Sequence, residues 1–203
     1  MPRANLNRSV VLSAAADLAD QDGFDAITIS TLARRFGVRP ASLYSHVRDL
    51  ASVREGVHEL ALGELADRVA VAVAGRAAFD ALSGFAEVHR RYATERPGCW
   101  TAVQRPATAT IARSDGARRL STLLLAVIGG YNLPEGEHVH AARFVGATIN
   151  GYLTLNRTGA YDHRTQPADV SWNRAVFALD SALRAWPTEE AEEAEEAEEA
   201  EEQ

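Results

Sequence analysis

The sequence predicts an all-α fold, and two observations carry this prediction. Apolar residues recur at intervals of three and four along most of the chain, which is the period of a helix face, while strand-like alternation is scarce. Glycine, proline and asparagine stand where these periodic segments stop, as at Gly23, Gly37 and Gly75. We therefore expect about nine helices and no strand.

The first helix is predicted over about residues 6–22. Val11, Ala15 and Leu18 form its apolar stripe, and Gly23 with Phe24 provides a C-terminal cap with a hydrophobic contact.

Two short helices joined by a tight turn are predicted next. The earlier one begins after Thr28, whose hydroxyl can cap it, and ends at Gly37, because glycine tolerates the left-handed conformation. The later one begins at Pro40, whose missing N–H costs nothing in a first turn, and turns Leu43 and Val47 inward. This arrangement is a helix-turn-helix, which fits the major groove of DNA.

The outer face of this segment carries hydrogen-bond donors suited to phosphate and base edges. The residues expected to contact DNA are Thr28, Arg39, Pro40, Ser42, Tyr44, Ser45, His46 and Arg48. Thr28 and Arg48 are assigned to phosphates.

Helical periodicity continues through the rest of the chain. Asp49 is predicted to cap a linking helix that runs to about Val73, and residues 76–95 form the next. Residues 99–114 look less regular, and the apolar run 120–128 is predicted to be buried on all sides.

Two long helices complete the predicted body. One spans about 135–158, with Val139, Ala142, Phe144 or Val145, Ile149, Tyr152 and Leu153 inward. The other spans about 170–186, is capped by Asp169 or Ser171, and has its stripe at Ala175, Leu179, Ala182 and Trp186.

The net charge of −7 conceals a basic N-terminal region. Ten glutamates lie in residues 189–202, so residues 1–188 hold 21 arginines against 18 acidic side chains, a net charge of +3. Residues 26–54 contain five arginines and one aspartate, a net charge of +4. The positive charge therefore lies where the helix-turn-helix is predicted.

Composition excludes several other classes of protein. Cys99 is the single cysteine, so no disulfide can form within the chain, and we expect it to be a small buried residue in a cytoplasmic protein. The run 120–128 is too short to span a bilayer, and the N-terminus lacks the apolar stretch of a targeting peptide.

No catalytic or metal-binding motif is persuasive. His138 and His140 are two residues apart and would face different sides of a helix, and Gly129-Gly130 lacks the lysine of a phosphate loop. We expect neither enzyme activity nor a cofactor.

The stretch LARRFGVRPASLYSHV resembles the DNA-binding signature of the tetracycline-repressor (TetR) family of transcriptional regulators. The residues that match this pattern in order and spacing are Thr28, Leu32, Ala33, Gly37, Val38, Leu43, Tyr44 and His46. Arg39 replaces the common Ser or Thr before the recognition helix, and Leu50 replaces a common phosphate-binding Lys.

The resemblance implies a helix-turn-helix DNA-binding domain over residues 1–48 and a regulatory and dimerisation bundle over 49–187. The glutamate repeat of the acidic tail over 188–203 has no apolar face, and we expect the tail to be disordered or a frayed helix. The resemblance implies a homodimer that pairs its last two long helices, where Ala142, Gly146, Ala147 and Gly151 would allow close approach, and that reads a palindromic operator. It also implies a small-molecule effector bound in the helical body. The candidate effector contacts are Phe85, His89, Tyr92, Trp100, Gln104, Tyr131, Phe144, Thr148 and Tyr152.

The sequence leaves two alternatives open. The helical body could bind a protein partner rather than a small molecule, or the chain could be a helical enzyme or carrier with a decayed DNA-binding motif.

Overall fold

The computed structural model describes residues 6–163 and 165–187, and within them every regular element is helical. The ten α-helices are α1 Arg8–Asp22, α2 Ile29–Phe36, α3 Pro40–Leu43, α4 Leu50–Val73, α5 Ala78–Glu95, α6 Pro97–Val103, α7 Ala109–Ala112, α8 Asp115–Gly129, α9 His138–Arg157 and α10 Ala168–Arg184. Short 3₁₀ turns at Phe24–Ala26 and Glu135–Glu137 precede α2 and α9. The predicted all-α class is confirmed, whereas the predicted acidic tail over 188–203 lies outside the described residues.

Two compact units are defined by the packing of the chain. Of the described residues, one comprises those up to Val71 together with Glu87–Thr122, and the other comprises Ala72–Ala86 together with those from Leu123 onward. The predicted domain boundary between residues 48 and 49 stays a prediction.

The first unit is organised around the contact between α1 and α6. Val11, Ala15 and Ala19 of α1 are buried, and Gly98 of α6 lies so close to α1 that an added Cβ would overlap the carbonyl group of Ala19. Glycine at position 98 therefore lets the two helix backbones approach each other closely.

A carboxylate of α1 caps α6. Asp20 Oδ1 accepts hydrogen bonds from the backbone N–H groups of Gly98 (2.8 Å) and Cys99 (3.0 Å), which have no acceptor within their own helix. The Arg96 Nε atom lies 3.0 Å from Asp20 Oδ2, and other nitrogens of Arg96 lie 3.5 Å from carboxylate oxygens of Asp17 and Glu64. This cluster binds the end of α1 to the α5–α6 junction.

The second unit contains α9 and α10, which pack against each other. Their buried faces are aliphatic with one tryptophan. The buried residues are Ala141, Val145, Ile149 and Leu153 on α9, and Trp172, Val176, Leu179 and Leu183 on α10. The hydroxyl groups of Tyr131 and Tyr152 donate to Asp180 Oδ1 (2.8 Å) and the Ala168 carbonyl (2.6 Å).

Several sequence predictions about the body are wrong in detail. Residues 99–114, predicted to be irregular, contain most of α6 and all of α7. Pro97 is the first residue of α6, a position that suits proline. The run 120–128 was predicted to be buried on all sides, but only Val127 and Ile128 are buried. Ser121, Thr122 and Ala126 are exposed, and the high overall hydrophobicity of the run concealed this exposed side.

The register of the last two helices also differs from the prediction. Val139 is 51% exposed, because α9 begins only after a 3₁₀ turn and its inward stripe starts at Ala141. The N-cap of α10 is Pro167, so neither Asp169 nor Ser171 caps it. Asp169 lies in the first turn of α10, where a negative charge is favoured by the helix dipole. Trp186 lies beyond the end of α10 and donates a hydrogen bond to Glu137 Oε2 (2.9 Å).

Candidate nucleic-acid interface

The start of α2 is fixed by two threonines. The Thr28 hydroxyl accepts a hydrogen bond from the Thr31 backbone N–H (3.0 Å), and the Thr31 hydroxyl oxygen accepts one from the Thr28 N–H (3.0 Å). This reciprocal capping box confirms Thr28 as the predicted N-cap and holds the entry of the chain into the helix-turn-helix.

The turn between α2 and α3 depends on one left-handed residue. Gly37 has φ of 65° and ψ of 30°, and Val38 N–H donates to the Ala33 carbonyl at 3.0 Å. A residue with a side chain would be strained in this conformation, so glycine sets the angle at which α3 leaves the turn.

The recognition segment is shorter as an α-helix than its sequence pattern indicates. Pro40 is the first residue of α3 and Leu43 the last, and the chain then continues as a hydrogen-bonded turn in which His46 and Val47 donate to the Leu43 carbonyl. Leu43 (0% exposed) and Val47 (6%) anchor this segment in the core, as predicted.

The structure brings most of the predicted DNA contacts to one solvent-facing segment. Six of the eight are exposed, namely Arg39, Pro40, Ser42, Tyr44, Ser45 and Arg48. Thr28 and His46 are half-buried.

Hydrogen bonding separates these side chains further. Arg39 has no hydrogen-bond or ion-pair partner among the described residues. Ser45 donates to the Ser42 carbonyl (2.8 Å), and Arg48 Nε lies 2.9 Å from Asp49 Oδ2. Arg39 is therefore the cation in this segment that is ready to pair with an external acceptor.

Asp49 caps α4 as predicted. Its Oδ1 atom accepts from the Ser52 backbone N–H at 2.7 Å, and the Ser52 hydroxyl oxygen accepts from the Asp49 N–H at 3.1 Å. The backbone hydrogen bond, followed by the bond from Arg48, lowers the pKa of the Asp49 carboxyl.

Arg54 supports the helix-turn-helix from α4, a role that sequence reasoning missed. Its Nη2 group donates to the backbone carbonyls of Ile27 (3.2 Å) and Asp25 (3.4 Å), the segment that leads into α2. The local excess of arginine was visible in the sequence, but the partners of Arg54 lie 27 and 29 residues away in the chain.

The predicted effector contacts fall in both units. In the first unit His89, Tyr92 and Trp100 are buried and Gln104 is exposed. The Tyr92 hydroxyl donates to the Ala61 carbonyl (3.2 Å) and to Glu64 Oε2 (3.1 Å), and burial raises its pKa. His89 packs edge-on to Trp100, with ring centroids 6.1 Å apart.

The remaining effector candidates belong to the second unit. Phe85 and Tyr131 are buried there, Phe144 is 40% exposed, and the Thr148 hydroxyl donates to the Phe144 carbonyl. Tyr152 lines a cavity of about 470 Å³ with Tyr161, Gln166, Ala168 and Ser171.

Two further features are absent from the described residues. Between residues 6 and 187, leaving aside residue 164, no helix has the length and apolarity needed to cross a bilayer. The same residues hold no cluster of three or more histidine, cysteine or acidic side chains arranged to bind a metal ion.

Comparison with known proteins matches both parts of the chain. Residues 11–48 match the family model described as bacterial regulatory proteins, tetR family, and residues 82–179 match the tetracyclin repressor-like C-terminal domain. An uncharacterised HTH-type transcriptional regulator of Bacillus subtilis (strain 168), YobS, is 30% identical over 165 residues, which cover 79% of this chain and 84% of YobS.

Solved structures show the same fold at lower identity. A protein of unknown function from Rhodococcus sp. RHA1 superposes with a TM-score of 0.74 at 21% identity, covering 90% of this chain and 98% of that one. A glutamine-to-alanine variant of TetR from Acinetobacter baumannii AYE, solved in complex with minocycline, gives a TM-score of 0.69 at 18% identity, with coverage of 91% and 99%. Taken with the capped α2, the glycine turn and the solvent-facing recognition segment, these matches show that the chain belongs to the TetR family of DNA-binding transcriptional regulators.

Proposed function

We propose that this protein is a cytoplasmic, ligand-responsive repressor that binds palindromic operator DNA as a homodimer. The observation that carries the proposal is Arg39, which is exposed beside the anchored Leu43 and has no partner among the described residues. A guanidinium in this position can pair bidentately with a guanine edge or with a phosphate. Thr28 and Arg48 would contact phosphates, and Ser42, Tyr44, Ser45 and His46 would complete the contact surface around Pro40.

The test is fluorescence anisotropy with a labelled duplex taken from the DNA upstream of the gene. Arg39→Ala should weaken binding by about 1–3 kcal/mol if Arg39 reads a base, or reduce the salt slope by about one if it contacts a phosphate. Arg118→Ala removes the same charge from an exposed position on α8 and serves as the control. Unchanged affinity and salt slope in Arg39→Ala would remove this segment from the DNA contact.

The outward faces of α9 and α10 support the homodimer. Leu155 is 48% exposed and Phe177 60% exposed, and the Gly146 and Gly151 positions have open space where a Cβ would stand. Apolar and small residues on a solvent-facing helix pair favour close packing against a second copy, and a two-fold dimer would read two half-sites.

Ala147→Glu tests the dimer interface. Ala147 is exposed on α9, so a charge there should be tolerated by the monomer but should disfavour association. Sedimentation equilibrium should then show dissociation for Ala147→Glu and an intact dimer for Ala112→Glu, an exposed control on α7. Equal association of both variants would place the dimer contact elsewhere.

The cavity beside Tyr152 supports a small-molecule effector. Its volume of about 470 Å³ falls within the range of small-ligand sites, and the related Acinetobacter protein was solved with minocycline. A compound library screened by thermal stabilisation should identify effectors, which must also weaken operator binding by linkage. If stabilising compounds leave operator affinity unchanged, the protein is not ligand-responsive through them.

A further inference from the structure

A second cavity lies at the start of α4, separate from the residues proposed above for the effector. Its volume is about 380 Å³, and it is lined by side chains from the 3₁₀ turn before α2, from the first turns of α4 and from the α6–α7 region. Phe24, Leu50 and Ile111 give it apolar walls. A cavity of this size fits a ligand of one ring or a short aliphatic chain.

Two arginine side chains line this cavity. Arg54 and Arg105 both lie against the ring of Phe24, at 5.9 and 5.0 Å from its centroid. No carboxylate within the described residues comes within ion-pair distance of either guanidinium, although Glu55 also lines the cavity. The lining therefore carries two positive charges and one negative charge.

Polar groups of the cavity are left without protein partners. The Nε–H of Arg54 is buried and has no hydrogen-bond acceptor, and its Nη1 group has none among the described residues. His58 is only 6% exposed, and its ring nitrogens, which have no hydrogen-bond partner within the described part of the chain, keep some contact with the cavity's solvent. A buried donor without an acceptor costs free energy, so the unpaired Nε–H of Arg54 favours an occupant that supplies an acceptor.

His58 is arranged to remain uncharged. Burial and then the positive charge of Arg105 lower the pKa of its imidazole, so near neutral pH it offers one donor and one acceptor. The Thr108 hydroxyl, which accepts weakly from the Ile111 N–H at 3.3 Å to cap α7, adds a further polar group to the rim.

We propose that this cavity binds a small organic carboxylate, with the carboxylate between Arg54 and Arg105 and the apolar body against Phe24, Leu50 and Ile111. A guanidinium group matches the planar geometry of a carboxylate, and the apolar walls favour an organic acid over an inorganic anion. The site is independent of the proposed repressor function, because binding here requires no DNA. The site nevertheless adjoins the helix-turn-helix, because Arg54 also donates hydrogen bonds to the carbonyls of Asp25 and Ile27, just before α2.

Isothermal titration calorimetry on the full chain without DNA tests the site. The probes are benzoate and hexanoate as carboxylates, benzamide as the uncharged analogue of benzoate, and inorganic phosphate. We expect at least one carboxylate to bind saturably with a Kd of about 1 mM or tighter, and both benzamide and phosphate to bind more weakly.

Two variants and one control identify the location. Arg105→Gln should weaken carboxylate binding at least about 10-fold, because a charge-assisted hydrogen bond is lost. Ala51→Phe keeps both arginines but fills the cavity from the first turn of α4, and should also abolish binding. Arg113→Gln removes an exposed arginine outside the lining and should leave binding unchanged.

Three results would overturn the proposal. These are the absence of saturable binding by both carboxylates, equal binding by Arg105→Gln and the wild type, or phosphate binding more tightly than either carboxylate. Failure to bind operator DNA would leave the calorimetry unaffected, so the two proposals fail independently.

Discussion

Replacing Gly98 by alanine should destabilise the protein through the contact between α1 and α6. An added Cβ would overlap the Ala19 carbonyl group and lie 2.5 Å from the Asp20 backbone nitrogen, and these backbone atoms cannot rotate away. Forcing atoms into a packed contact costs about 1–3 kcal/mol. Separating the helices also stretches the Asp20 cap of α6, which is worth about 1 kcal/mol. The expected loss in the free energy of unfolding is therefore about 2–4 kcal/mol.

Urea unfolding followed by circular dichroism measures this loss directly, and the melting temperature should fall by roughly 5–15 °C. Gly63→Ala is the matched control, because Gly63 lies within α4 and its Cβ would meet no atom within 4 Å. That substitution should stabilise the protein by about 0.5–1 kcal/mol through helix propensity. If Gly98→Ala is as stable as the wild type while Gly63→Ala behaves as expected, the described approach of α1 to α6 is wrong.

Three further predictions concern single polar groups. The folded-state pKa of Asp49 is lowered, so its cap of α4 contributes stability at pH values above the ordinary carboxyl pKa. The difference in unfolding free energy between the wild type and Asp49→Ala should therefore shrink as the pH falls below about 4. Burial raises the pKa of the Cys99 thiol to about 11. A disulfide reagent at pH 8 should therefore react far more slowly with the native protein than with the urea-unfolded protein, and equal rates would show that Cys99 is accessible. Tyr131→Phe removes the hydrogen bond to Asp180 and should cost about 1 kcal/mol in urea unfolding, whereas Tyr44→Phe, at an exposed position, should cost nothing measurable.

Features that depend on a few consecutive residues were predictable from sequence. Thr28 as a cap, Gly37 as a left-handed turn and Pro40 as a first helical residue each follow from the conformational preferences of one residue type. The helix-turn-helix and the exposure of Arg39 followed from these local signals.

Features that depend on distant parts of the chain were not predictable in the same way. The cap that Asp20 provides for α6 joins residues 78 positions apart, and no local sequence pattern reveals such a contact. The cavity around Arg54 and Arg105 also requires three separate segments to meet. The periodicity of α9 and α10 predicted helices correctly but left their register open, because several adjacent stripes contain enough apolar residues to be buried.

The dependence of α6 on a carboxylate from α1 has a consequence for protein engineering. Replacing residues 1–48 by those of a relative would remove Asp20 together with the helix-turn-helix and leave Gly98 and Arg96 in place. A chimaera built at that boundary should fold well only when the donor supplies an acidic residue at position 20. Compatibility between donor and recipient would thus depend on a position outside the residues proposed to contact DNA.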